Sequence, residues 1–264
     1  MSIVACVKVI DGIALAADSV TQIWGKGVSG QAGVMKTYHF AKKIFQLGTL
    51  PIGILTYGIG NIGHRSIESL VRDFYNTPLD AKSVEEITNE FYTYIKRIYE
   101  QTYPPQVNEL QQQPNLGIYI AGYSERDREL GNDWGMEYEF ILPVHTASIQ
   151  VREKEKTGAS WRGISNIFSR LFFGYEPLLK KTLIDGGRSE EEINKLLGSF
   201  AVPIVFDGMP VQDAINFVTF IIKTTIGVLE FSIGPPSCGE PIDVAVITPV
   251  GGFEWIAEKK YITS

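Results

Sequence analysis

Along this chain the hydrophobic period switches in blocks, and that order limits the folds open to it. Residues 3–10 and 13–17 are apolar-rich runs joined by Asp11-Gly12. An Asp-Gly pair between two such runs predicts a tight hairpin, with both turn residues at positive φ. A polar, glycine-rich stretch at 25–33 reads as an exposed loop. Residues 43–47 and 52–56 then form a second strand pair around 48–51. The period next becomes helical. Ile67, Leu70, Val71 and Phe74 fall at i, i+3, i+4 and i+7 and bury one face. A second helix opens at Ser83 with Glu86 three residues on, the capping-box spacing, and carries Ile87, Phe91, Ile95 and Ile98 on one side. Pro104-Pro105 ends it.

Strands are predicted again at 116–121, 137–142 and 148–153, helices at 164–184 and 190–197, and a long helix from about Pro210. That helix buries Val211, Ala214, Ile215, Val218 and Ile222. A strand at 242–247 with a partner at 253–256 closes the chain. Strands in runs, then helices in runs, predict α+β rather than strict βαβ alternation. An αββα sandwich, two sheets face to face with helices over each, satisfies the order. No repeat or linker interrupts it, so one domain, 1–264, is expected.

Composition narrows the function. The formal charge of -6, from 24 basic and 30 acidic residues, argues against nucleic acid or an anionic membrane as partner. Cys6 and Cys238 are the only cysteines and have no paired spacing. Neither a disulfide framework nor a zinc site is expected, and a reducing compartment fits. His39, His64 and His145 are scattered without ligand spacing, so no metal or cofactor is expected. The first residues lack a basic n-region, and Lys8 and Asp11 break the apolar run, unlike a secretory signal. The longest apolar stretch, 217–231, contains Thr219, Lys223, Thr224 and Thr225 and reads as a buried helix. A cytoplasmic protein is expected.

Three segments carry a family resemblance. Ser2-Ile3-Val4-Ala5-Cys6-Val7-Lys8-Val9-Ile10-Asp11-Gly12 runs on to Ala16-Ala17-Asp18-Ser19. It resembles the start of a mature proteasome β-type subunit: nucleophile, strand, Asp-Gly turn, strand. Lys43-Ile44-Phe45-Gln46-Leu47 is similar to the family's lysine motif, and Ile242-Asp243-Val244-Ala245-Val246-Ile247 to its closing strand. The stretch 126–209 matches only as a pattern. The resemblance implies the four-layer αββα fold of N-terminal-nucleophile (Ntn) hydrolases and a proteasome-type endopeptidase without cofactor. It also implies a homo-oligomer, ring or open spiral, that encloses its sites and acts on peptides or unfolded chains, and it leaves a regulatory ATPase open as a further partner.

Carried across position by position, the resemblance implies Ser2 as nucleophile, Asp18 as first-hairpin acid, Lys43 as the strand lysine and Gly58 as oxyanion glycine. Ser160 and Ser237 are the two candidates for supporting serines. Departures are visible. Serine stands where the family usually has threonine, no basic residue follows Asp18-Ser19, and no acid shortly precedes Ser237. In such an enzyme the side-chain oxygen attacks while the residue's own α-amine, titrating near ~8, takes the proton, so no histidine is needed. Met1 must be removed, as a cellular aminopeptidase does before a small residue.

Blander readings stand beside these. Ser2 is also just a second residue, Asp18 a hairpin cap, Lys43 a surface partner, and Cys6 a core thiol. Gly58, Gly60 and Gly63 spell GxGxxG after a strand, but two helices follow where a dinucleotide fold returns a strand. Besides the peptidase, a non-catalytic ring subunit and a small-molecule amidase of the wider superfamily remain open.

Overall fold

The computed structural model describes residues 2–26, 32–78, 81–104, 113–129 and 133–260. In chain order its elements begin with β1 (Ile3–Val9), β2 (Gly12–Ala17), β3 (Thr21–Lys26), β4 (Ala32–Tyr38), β5 (Ile44–Gln46) and β6 (Ile52–Gly58). A short pair, β7 (Asn61–Ile62) and β8 (Arg65–Ser66), leads to α1 (Ile67–Tyr75) and α2 (Val84–Thr102). Next come β9 (Leu116–Gly122), α3 (Glu125–Glu129), β10 (Met136–Leu142), β11 (Ile149–Gln150) and β12 (Gly158–Gly163). The helices α4 (Asn166–Phe173), α5 (Pro177–Asp185), α6 (Glu190–Gly198) and α7 (Val211–Glu230) precede the closing β13 (Asp243–Thr248) and β14 (Gly252–Ala257).

The strands build two five-stranded sheets, ordered β12-β1-β2-β13-β14 and β11-β10-β9-β6-β5, with antiparallel pairing throughout. The mixed, antiparallel organisation is the one the blocks of periodicity predict. Side-chain alternation divides β1 cleanly. Ile3, Ala5, Val7 and Val9 join a cluster with Phe168 of α4 and Ala214, Val218 and Ile222 of α7. Val4 and Cys6 face the other way, into a cluster with Ile44, Leu55 and Tyr119 of the second sheet. On that sheet's far side, Ile54, Ile118 and Phe140 pack against α1 and α2 through Leu70, Phe74, Phe91 and Ile95. Each fully buried Ile, Leu or Phe contributes about 1.5–3 kcal/mol, so the three clusters hold the sheets and helices in register.

The helix starts follow local chemistry. In α1 the buried face is Ile67, Leu70, Val71 and Phe74, and Ser66 caps it by accepting from the Ser69 N–H. The Ser83/Glu86 capping box of α2 is closed in both directions.

Other expectations shift. The first hairpin forms, but Val9 pairs with Gly12, so its turn residues are Ile10-Asp11, one place earlier. No described non-glycine residue has positive φ, and Gly12 does not either. Gly12 serves instead to let β2 approach β13: a Cβ there would come within 3.2 Å of the Ile247 carbonyl. The glycine-rich stretch is flanked by a strand pair, β3 and β4, that alternation does not announce. Its residues 27–31 lie outside the described ones, as do Met1 and Pro105. The single helix expected at 164–184 is two, because Gly174 takes a left-handed φ of 75° and Pro177 opens α5. The strand expected at 148–153 shortens to β11. Unannounced β12, framed by Gly158 and Gly163, is the edge partner of β1.

Candidate active site

At its start, β1 lies between β2 and β12. Alternation carried back two residues from Val4 puts Ser2 on the side facing the second sheet. Ser2 is buried. Its carbonyl accepts from the Ile164 N–H at 2.8 Å just past β12. Gly163 crosses it so closely, at φ 85°, that a Cβ there would lie 1.9 Å from the Ser2 oxygen.

β2 ends at Ala17 and delivers Asp18, 0% exposed, beside the start of β1. Asp18 Oδ1 accepts from the Ile3 N–H at 2.9 Å and from Lys43 Nζ at 2.5 Å. Oδ2 accepts from the N–H groups of Val20 at 3.0 Å and Gly239 at 3.3 Å. Lys43 stands immediately before β5 and is 5% exposed; its ammonium also donates to the Val20 carbonyl at 2.6 Å. A buried charge is costly unless it is paired and hydrogen-bonded, and this carboxylate has both kinds of partner. One of its oxygens joins the amide that follows Ser2 to the lysine ammonium, so the two donors stand a few ångströms apart. Burial pushes the Lys43 ammonium below the ordinary lysine range, against the opposing pull of Asp18. The neighbouring Lys42 is partly exposed, ion-paired with Glu258 at 3.2 Å and Glu68 at 3.6 Å.

Gly58 ends β6, two residues past Thr56, whose N–H donates to the Lys43 carbonyl at 2.9 Å. Its φ of 91° and the Asn115 carbonyl, 2.2 Å from where a Cβ would be, require glycine. The GxGxxG glycines open no nucleotide loop. Gly60 and Gly63 belong to the β7–β8 hairpin, α1 starts only at Ile67, and α2 follows it. Among the described residues no cluster of three or more His, Cys, Asp or Glu is placed to hold a metal ion. No helix among them is long and apolar enough to cross a membrane.

The two candidate serines separate. Ser237 is buried in the segment whose Gly239 bonds both Asp18 and Ser19. Cys238, between them, is a buried thiol pushed up to about 12 by burial and then by Asp18. Ser160 is not brought to Ser2. It pairs with Cys6, four residues along β1 and so about 13 Å away at ~3.3 Å per residue. There its hydroxyl accepts from Arg152, which is ion-paired with the buried Glu137 that Tyr119 and Cys6 also meet. Strand pitch, invisible in a motif, separates the two. The residue held against the Ser2 carbonyl just past β12 is Ile164, and the serine next to it in the chain is Ser165, which the sequence reading passes over.

A second ion pair also escapes the sequence. Lys259, after β14, is paired with the fully buried Asp243, and its ammonium donates to Ser19 Oγ at 2.8 Å. Lying in Glu258-Lys259-Lys260, it reads as surface charge. Only the sheet order β2-β13-β14 carries it to the residue after Asp18.

Solved structures share this architecture. Anbu (ancestral β-subunit) from Yersinia bercovieri is 15% identical at a TM-score of 0.51, covering 98% of this chain and 88% of that one. The Anbu complex from Pseudomonas aeruginosa, a helical assembly, is 14% identical at 0.56, covering 98% and 88%. Anbu from Hyphomicrobium sp. strain MC1 is 13% identical at 0.57, covering 97% and 86%. No family model matches the chain, and no curated protein sequence does. At this identity the likeness is one of fold, and the fold of this chain is that of the Anbu structures.

Proposed function

We propose that this chain is a proteasome-like Ntn peptidase in which Ser2, freed of Met1, is the nucleophile. The observation that carries the reading is the Asp18 carboxylate, whose one oxygen holds both the Ile3 amide and the Lys43 ammonium. Ser2 Oγ attacks the peptide carbonyl carbon, and its proton passes to the α-amine of Ser2, directly or through water. The Lys43 ammonium disfavours a second positive charge on that amine and steadies the developing alkoxide. The Gly58 N–H meets the tetrahedral oxyanion, where one such donor is worth roughly 3–4 kcal/mol. Collapse expels the amine half of the substrate with the proton from the α-ammonium. Water, deprotonated by the same amine, then hydrolyses the Ser2 ester. Ser165 takes the supporting place that the sequence gives to Ser160, and Ser237 borders the site.

The same reading takes the chain as one αββα domain, with the two sheets as inner layers and α1–α2 and α4–α7 as outer ones. The three separate core clusters support it. It also takes the protein as a homo-oligomer, ring or open spiral, acting on peptides or unfolded chains in the cytoplasm. An exposed nucleophile of broad preference would cut cellular proteins, so geometry must limit access.

Ser2→Ala abolishes hydrolysis of fluorogenic peptides and labelling by a β-lactone probe, with an unchanged circular dichroism spectrum. Intact mass of the purified protein shows Met1 absent. Undiminished labelling of the Ala variant removes Ser2 from the mechanism, and retained Met1 turns the reading towards a non-catalytic subunit.

A further inference from the structure

Ser19 ties together the segments around the Asp18–Lys43 pair. Its N–H donates to the Gly239 carbonyl at 3.0 Å and its own carbonyl accepts from the Ala41 N–H at 2.9 Å, two residues before Lys43. Its hydroxyl donates to the Pro241 carbonyl at 2.5 Å and accepts from Lys259 Nζ at 2.8 Å. Lys259 is in turn fixed at both ends, since its ammonium is paired with Asp243 and its backbone N–H donates to Asp243 Oδ1 at 2.9 Å. Asp243 is fully buried and pairs with Ala17, directly before Asp18. Two buried Lys–Asp pairs therefore stand side by side, joined through consecutive residues.

We propose that Lys259 is a positioning residue for the Asp18–Lys43 pair, supplying through space the cation that the sequence lacks after Asp18-Ser19. The proposal rests on the peptidase reading for its effect on turnover, but not for its effect on Lys43. Buried ion pairs with this many fixed partners hold one geometry because any other leaves a charge unpaired. The Lys259–Ser19 contact sets where Asp18 and Ala41 sit, and through them where Lys43 points. Among the described side chains the titratable groups acting on Lys43 are Asp18, Cys238 and Lys259, and on the peptidase reading the Ser2 α-amine joins them. Asp18 and an ionised Cys238 favour the ammonium, while Lys259 joins burial in disfavouring it.

Two readouts test this on the full-length protein. The first is the titration of the Lys43 ammonium by NMR, assigned by its loss in Lys43→Arg. It moves to higher pH in Lys259→Met and returns in Lys259→Arg. The second is peptide hydrolysis, where Lys259→Met lowers kcat about tenfold with KM nearly unchanged, the pattern of displaced catalytic groups. Lys259→Arg restores most of it. Because Lys259→Met strands Asp243, the neutral double variant Asp243→Asn/Lys259→Met is measured beside it and shows the same loss of kcat. Wild-type kcat in the double variant, or an unmoved Lys43 titration in the single one, overturns the proposal. A Lys43 titration that moves in a protein with no peptidase turnover refutes the peptidase reading and leaves the positioning role standing.

Discussion

Two adjacent lysines with opposite surroundings separate local pairing from site chemistry. Lys43 is buried on Asp18, whereas Lys42 shares the surface with Glu68 and Glu258 and stacks 5.4 Å from the Trp255 ring. Lys43→Ala lowers kcat about a hundredfold, as loss of a transition-state charge partner does, and leaves KM nearly unchanged. It also lowers stability by about 3–5 kcal/mol, because the Asp18 carboxylate stays buried without its counter-ion. Lys42→Ala changes stability by less than about 1 kcal/mol, the usual worth of an exposed pair. Equal damage from the two variants contradicts the assignment. The pH profile follows from the same burial. The ammonium is the working form and its pKa is lowered, so it is lost at lower pH than in an ordinary lysine. The alkaline limb of kcat/KM accordingly falls below the ordinary lysine range of ~10.4. A limb above that range counts against Lys43 as the group observed.

Among the elements, β12 governs how Ser2 is presented. Its last residue, Gly163, turns at φ 85° against the Ser2 carbonyl, so a methyl group there has neither the backbone angle nor the space it needs. Gly163→Ala costs about 1–3 kcal/mol of stability and lowers kcat more than the stability loss explains, since Ser2 itself is displaced. Gly198→Ala is the control: φ is not positive there and nothing lies within 4 Å of the added Cβ. Urea denaturation of both variants, with peptidase assays under native conditions, makes the comparison. A stability loss at Gly163 without extra loss of kcat shows that β12 supports the fold but not the position of Ser2.

For the whole molecule the informative surface is α5. None of its residues is buried, and Leu178 and Leu179 are 62% and 45% exposed. Leu171, Phe200, Val202 and Val205 nearby are also exposed. By contrast Phe168 is buried against α7, and Phe172 and Phe173 pack on the same cluster. The aromatic side chains of α4 thus pack inward, and Leu178 and Leu179 of α5 stay open to a neighbour. Light scattering on the purified protein gives several times the mass of one chain. Leu178→Glu/Leu179→Glu shifts it towards the single-chain mass with the circular dichroism spectrum unchanged. A single-chain mass for the unaltered protein sinks the enclosed-peptidase reading and favours an amidase acting on small substrates.

Local chemistry was enough wherever a pattern is self-contained. The first hairpin, the β5–β6 pair, the α1 stripe and the Ser83/Glu86 box all follow from residues a few places apart, because period and capping are local. Asp18 and Lys43 were legible through their motifs, though not as a buried pair sharing its carboxylate with the Ile3 amide. Where contacts join distant segments the sequence is silent. Strand pitch sends Ser160 to the Glu137 cluster and brings Ile164 to the Ser2 carbonyl, and no spacing along the chain reveals which residue lands there. Lys259 reads as terminal surface charge until β13 and β14 fold beside β2. Its role exists only in three dimensions, since pairing across a sheet brings together residues 240 positions apart and burial then decides which charges must meet.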